Sequence, residues 1–251
     1  MPVHEVARQG FGSEAEAYDR GRPEYPQEAI AWLVEQTGLG PGRVVVDVGA
    51  GTGKLTRALE RSGATLIAVE PIAGMREILA RRVPRARLLD AVAEALPLAD
   101  ASIDAVAVGQ AFHWFDGPRA LDEFARVLRP DGRLALASNL RDRDDPLMVA
   151  LEGIMEPYRR GAPSNHAESP SAFGEEAPFE FEHSYTLPFV ELRDRAELVD
   201  RIVSVSFIAA LPNADKREVI DRVEALAGSA TLIELNYLSE VTLYRRKAQG
   251  A

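Results

Sequence analysis

Over its first two-thirds the chain alternates between two kinds of hydrophobic text. RVVVDV (43–48), TLIAVE (65–70), RARLLD (85–90), IDAVAVG (103–109) and RLALAS (133–138) are short aliphatic, often β-branched runs. That pattern predicts strands buried on both faces. Between them the apolar positions recur at helical spacing. Leu55, Ala58 and Leu59 share a face until Gly63, a second helix covers 72–82, and Leu121, Phe124, Ala125 and Leu128 line a third over 118–128. RPDG (129–132) has the Pro and Gly chemistry of a turn. Strands separated by helices are βαβ units with right-handed connections. Residues 40–140 therefore predict an α/β fold, a doubly wound and mostly parallel sheet with helices on both faces.

Beyond residue 141 the pattern loosens. RDRDD (141–145) predicts a charged loop and 146–160 a helix through Leu147, Leu151 and Ile154. Residues 161–178 are rich in Gly, Pro and Ser and predict a mobile connection. FEFEHSYTLPF (179–189) alternates as a strand does, and two helices are expected near 194–210 and 215–227. The text near 232–245 fits one long strand or a kinked pair. No internal repeat or low-complexity block interrupts the chain.

Composition narrows the chemistry. With 251 residues, one large domain is expected. The balance of 29 Lys+Arg against 39 Asp+Glu gives a net charge of −10, which weighs against nucleic acid and anionic membrane as partners. No cysteine is present, which excludes disulfides, a thiolate nucleophile and Cys-ligated metal centres. The four histidines (His4, His113, His166, His183) show no metal-ligand spacing, so no metal is expected. The first residues lack a signal-like apolar core and no run of about 18 apolar residues occurs, so a cytoplasmic, soluble protein is the expectation.

The stretch that carries chemistry is VVVDVGAGTGKL (44–55): a hydrophobic strand with Asp47 near its end, then Gly49, Gly51 and Gly53, then a helix. Glycines at such a turn let the backbone bend tightly and let a ligand approach the unpaired N–H groups of the helix start. A phosphate-binding P-loop fails, because Val48 stands where its first Gly belongs and Leu55 where Ser or Thr belongs. The dinucleotide fingerprint GxGxxG fails at its third glycine, where Lys54 stands. Asp-x-Gly-x-Gly-x-Gly followed by an acidic residue at the end of the next strand is complete. Glu70 ends TLIAVE, 23 residues after Asp47, and a carboxylate there can accept both hydroxyls of a ribose.

Six ordered strings extend this pattern: FGSEAEAYDRGRPEYP (11–26), VVVDVGAGTG (44–53), AVEPIAGM (68–75), AEALPLADASIDAV (93–106), QAFHWF (110–115) and LRPDGRL (128–134). Together they resemble the class I S-adenosylmethionine-dependent methyltransferases, in the small-molecule branch called methyltransferase type 11. The resemblance covers about residues 10–140. It implies a Rossmann-like, seven-stranded sheet whose last strand is antiparallel. It also implies one domain over 1–251, with 1–40 closing over the cofactor, 41–140 binding it, 141–178 forming a lid or substrate segment, and 179–251 completing the sheet. In residue terms, Gly49, Ala50 and Gly51 would pack on the methionine part of S-adenosylmethionine, with Asp47 and Gly53 shaping the loop. Glu70 would hold the ribose, Pro71 and Met75 would flank the adenine, and Ala93 and Glu94 would border its edge. Many relatives have Asp where Val92 stands, so the adenine amino group needs another acceptor. Gln110 would lie near the transferred methyl, while Tyr18 and Arg22 would close over the cofactor, Arg22 toward its carboxylate.

His113 and Trp114 follow the fourth strand on the methyl side of that arrangement. His113 is a candidate catalytic base, or both residues shape the substrate pocket, with the indole facing the sulfonium. The implied reaction moves a methyl group to a small-molecule acceptor, a carboxylate or a natural-product metabolite, in a monomer or homodimer. Two other readings stand beside it: a nucleotide-dependent oxidoreductase on the same sheet, and a non-catalytic protein that binds the cofactor.

Overall fold

The computed structural model describes residues 15–159, 173 and 176–248, apart from the side chains of 15, 17 and 18. The expected mobile connection at 161–178 falls almost wholly outside the described residues, as do His4, His166 and the Tyr18 side chain.

Seven strands form one sheet in the order β3-β2-β1-β4-β5-β7-β6. They are β1 (Val44–Val48), β2 (Thr65–Val69), β3 (Arg87–Leu89), β4 (Ile103–Gly109), β5 (Leu128–Arg141), β6 (Phe179–Arg193) and β7 (Ile233–Arg246). The first five run parallel, and β7 is antiparallel to both β5 and β6. This is the α/β doubly wound sheet with an antiparallel last strand that the pattern and the resemblance imply. The strand text 232–245 resolves as one continuous strand.

Helices cover both faces. They are α1 (Ala15–Gly21), α2 (Gln27–Thr37), α3 (Lys54–Leu59), α4 (Ala73–Arg82), α5 (Gly117–Val127), α6 (Pro146–Met155), α7 (Arg195–Val203), α8 (Ser206–Ala209) and α9 (Asn213–Ala227). One core holds Val46, Ile67, Val106 and Leu134 against the apolar stripe of α5, where Leu121 and Phe124 are buried. The other holds Val45, Ala105, Ala135 and Val241 against α2 and α3 through Leu33, Leu55 and Leu59. Alternate residues of each strand thus feed opposite cores, which accounts for the near-continuous hydrophobic runs. A third cluster joins α6, α7 and α9 to the start of β7 through Met148, Leu198, Val219 and Tyr237.

The RPDG string is not a separating turn. Strand β5 already begins at Leu128, opposite Ile103, and the register then jumps to Ala105 opposite Arg133. The intervening residues form a bulge with Arg129, Pro130 and Asp131 exposed. A proline without an N–H is tolerated there because the bulged residues make no ladder bond. A Cβ on Gly132 would lie 2.8 Å from Leu128 Cδ2, so only glycine lets the strand close back on itself. Arg129 reaches across to Asp104 at 2.5 Å, and that buried carboxylate also accepts from the Val44 N–H at 2.8 Å.

Candidate functional site

The order of the sheet reverses between β1 and β4, so the chain leaves their C-terminal ends in opposite directions and opens a crevice there. Ligands of open α/β sheets bind at this switch point. Four neighbouring parallel strands place polar residues at or just beyond that edge: Asp47 on β1, Glu70 after β2, Gln110 after β4 and Asn139 on β5. Asp47, Glu70 and Gln110 are legible as polar residues closing apolar runs. Asn139 is the one that sequence reasoning missed, and the same signal was present in ALASN.

The glycine loop is shaped by its backbone. Gly49, Gly51 and Gly53 all have positive φ, at 69°, 57° and 89°, a region that costs L-residues about 1–2 kcal/mol. At Gly49 a Cβ would also lie 2.7 Å from Ala111 Cβ. At Gly53 it would lie 2.9 Å from Leu79 Cγ on α4. At Gly51 the nearest atom would be Met75 Sδ at 3.7 Å, so that glycine leaves room above a methionine floor. The Gly49 and Ala50 N–H groups both donate to Val69 O, at 2.9 and 3.0 Å, pinning the loop to the end of β2.

Glu70 fastens the loop from the other side. Its Oε2 accepts the Gly51 N–H at 2.9 Å and its Oε1 accepts the Ile72 N–H at 2.8 Å. Each oxygen keeps a second lone pair. Burial pushes the Glu70 carboxyl above its ordinary pKa, against the pull of those two N–H groups. Asp47 is buried too; Thr56 donates to its Oδ2 at 2.5 Å, and Oδ1 has no hydrogen-bond partner. Burial, and then the nearby Glu70 charge, raise Asp47 to about 7 despite the Thr56 bond.

One pocket of about 50 Å³ lies over the loop, and Arg22, Tyr25, Asp47, Gly49, Ala50, Gly51, Lys54 and Gln110 are among its lining residues. Its size suits a small polar head group, such as the amino-acid end of a larger ligand. The pocket unites residues expected to act together: Arg22 from the segment after α1, Asp47 from β1, Gly49, Ala50 and Gly51 from the loop, and Gln110 from the end of β4. Pro23 beside Arg22 completes that wall. Tyr25 and Lys54 join the lining without having been singled out from sequence. Gln110 adopts φ +57°, a left-handed conformation that glutamine rarely takes. Its N–H donates to Ala137 O at 3.0 Å and its Nε2 to Asn139 O at 2.9 Å, which holds the strained turn in place.

The remaining candidates are not among the residues that line this pocket. Met75 is buried beneath Gly51, and Pro71 is partly buried just past Glu70. Ala93 packs in the core of the α5 face. Glu94 accepts the Asp116 N–H at 2.8 Å, so it secures the start of α5. His113 and Trp114 occupy a single 3-10 turn after β4. Phe112 is buried and anchors that turn edge-to-face on Phe115, at 5.9 Å and 73°. The partly buried His113 and Trp114 rings are tilted together 5.0 Å apart. Among the described residues no group of acidic or histidine side chains is placed to hold a metal ion, and no helix is long and apolar enough to cross a membrane.

A family model described as a methyltransferase domain matches residues 46–136. An uncharacterized methyltransferase of Mycobacterium bovis is 39% identical over 217 residues, covering 86% of this chain and 84% of that protein. A methyltransferase-like protein of Schizosaccharomyces pombe is 31% identical over 218 residues, covering 86% of this chain and 85% of its own. Among solved structures, a type II methyltransferase from Anaeromyxobacter dehalogenans superposes with a TM-score of 0.66 at 22% identity, over 90% of this chain and 97% of that one.

Proposed function

The chain belongs to the class I S-adenosylmethionine-dependent methyltransferases, and from that premise we propose that it moves a methyl group from S-adenosylmethionine to a small-molecule acceptor by in-line displacement. Membership removes the oxidoreductase alternative. The observation that carries the proposal is the convergence of Arg22, Asp47, the glycine loop and Gln110 on one pocket at the switch point, with Glu70 fastened beside it.

The residues present fit the cofactor. The loop leaves space at Gly51 that a side chain would fill, and the buried Asp47 Oδ1 lacks a donor that the ligand's amino group can supply. Arg22 supplies a cation for the cofactor's carboxylate. Glu70 has lone pairs left for the ribose hydroxyls, and Met75 supports the base. When bound, S-adenosylmethionine supplies a methyl group already activated by a positively charged sulfur.

This chain's own residues then have three tasks. The strained Gln110 turn fixes the wall of the pocket where the amino-acid end sits. Trp114 presents an indole face that favours a cation and keeps water out. His113 orients the acceptor, and takes its proton when the acceptor is a hydroxyl or an amine. A carboxylate acceptor has no proton to lose, so His113 would only orient it. Alignment is then the main source of rate.

The test is calorimetric titration with S-adenosylhomocysteine, followed by transfer of labelled methyl into fractionated metabolite extract over many turnovers. Tight product binding and accumulating labelled small molecule are expected. A chain that binds the product but never turns over, or that labels only macromolecules, overturns the reading.

A further inference from the structure

Beyond the cofactor pocket stand two arginines, Arg141 at the end of β5 and Arg201 on α7, that form no ion pair among the described residues. In the β5–β7 ladder Arg141 lies opposite Tyr237, and Asn139 opposite Ser239. These pairs continue the face on which Ala135, Ala137, Val241 and Leu243 pack, so the apolar core gives way to polar groups toward the crevice. Arg201, on α7, is only 4% exposed. Its Nε donates to the Tyr237 hydroxyl at 2.9 Å, while its Nη1 is buried without an acceptor. Ser239 Oγ and Asn139 Oδ1 are likewise buried without a partner. Arg141 Nη2 meets Met155 Sδ, a weak acceptor, at 3.9 Å.

Packing forces these cations together. A Cβ on Gly21 would sit 2.6 Å from Asp200 O and 2.7 Å from Ser204 Oγ, so the end of α1 is pressed against α7 on either side of Arg201. The next residue is Arg22, which lines the cofactor pocket. Burial first, then the Arg201 and Arg22 charges, push Arg141 down to about 9, still cationic at neutral pH; Tyr237 and Glu152 offset only part of that push. Arg141 and Arg201 are like charges in a partly buried place with no ion pair of their own among the described residues, an arrangement that opposes folding. A bound anion reverses that sign, and guanidinium forks match its oxygens in pairs.

We propose that Arg141 and Arg201, with Tyr237 positioning Arg201, form a subsite for a carboxylate or phosphate group of the methyl acceptor, next to the cofactor pocket. The assignment rests on the methyltransferase reading and specifies its substrate class: a small anionic molecule.

The test uses full-length protein saturated with S-adenosylhomocysteine, at fixed ionic strength, with citrate and inorganic phosphate as probes. Saturable binding that raises the melting temperature is expected, and the preferred probe distinguishes a carboxylate-bearing from a phosphate-bearing acceptor. Arg141→Gln and Arg201→Gln should weaken that binding about tenfold or more, as loss of a charged hydrogen bond does, with S-adenosylhomocysteine affinity unchanged. Arg141→Met adds a readout that a structural arginine would not give: it should melt higher than the wild type without ligand and no longer respond to the probe. The proposal is overturned if neither probe binds above a chloride control. It is also overturned if the glutamine variants lose cofactor product in parallel, or if Arg141→Met melts lower and still responds to the probe. Should the wild type bind no S-adenosylhomocysteine, the methyltransferase reading fails by itself, and the probes titrated alone still decide the subsite.

Discussion

At Glu70 one carboxylate closes the loop through Gly51 and Ile72 and, in the proposed reading, also receives a ribose. Glu70→Ala should therefore lower S-adenosylhomocysteine affinity by about 1–3 kcal/mol, and should also lower the melting temperature, because two backbone N–H groups lose their acceptor. An affinity that stays constant would place the ribose elsewhere. Asp47 makes a prediction in pH. Its folded pKa of about 7 lies above the ordinary 3.8, so the folded chain holds the extra proton. That contribution is full below pH 4 and is lost as pH rises through 7. Asp47→Asn should thus melt higher than the wild type, by a margin that grows between pH 4 and 7 and is flat above; a pH-independent margin contradicts it. Gln110 offers a third test. The Ala variant loses the contact to Asn139 and keeps the φ strain, so Gln110→Gly should be more stable than Gln110→Ala by about 1 kcal/mol. Asp47 and Glu70 were legible because packing alone gives a buried strand no use for a carboxylate at its end. The strain at Gln110 was not, because glutamine has no preference that announces a left-handed turn.

Among the elements, the parallel strands and their helices were readable because burial on both faces writes nearly unbroken aliphatic runs. The RPDG bulge was misread for a local reason. Proline and glycine mark a reversal of direction equally well between elements and inside a strand, and only the pairing of Leu128 with Ile103 separates the two. Glu94 has a use that the sequence did not announce. The resemblance implies a place for it at the adenine edge, and its Oε1 also holds the Asp116 N–H at the start of α5. Asp116 itself makes no side-chain cap, so that start depends on Glu94. Glu94→Ala should cost about 1 kcal/mol of stability, read as a lower urea midpoint. If the midpoint holds while S-adenosylhomocysteine binding weakens, Glu94 belongs to the ligand and not to the helix.

On the scale of the whole molecule, the acidic net charge and the proposed anion subsite would divide the labour of selection. A net charge of −10 repels polyanions, while the charges of Arg22 and Arg201 act on Arg141 at the subsite proposed for a small anion. Duplex DNA and tRNA should accordingly show no retardation with this protein at physiological ionic strength. The strand order carries a consequence in time. Strand β7 lies between β5 and β6, yet β6 precedes it in the chain. As the polypeptide emerges during synthesis, the parallel half and its glycine loop can assemble first, whereas the 15-residue β6 has no neighbour to pair with. Its exposed Phe181, Val190 and Leu192 are then open to other chains. Tyr237, which holds Arg201, arrives with β7. On the proposed assignments, the nascent protein gains the means to hold its methyl donor before it gains the means to choose what is methylated.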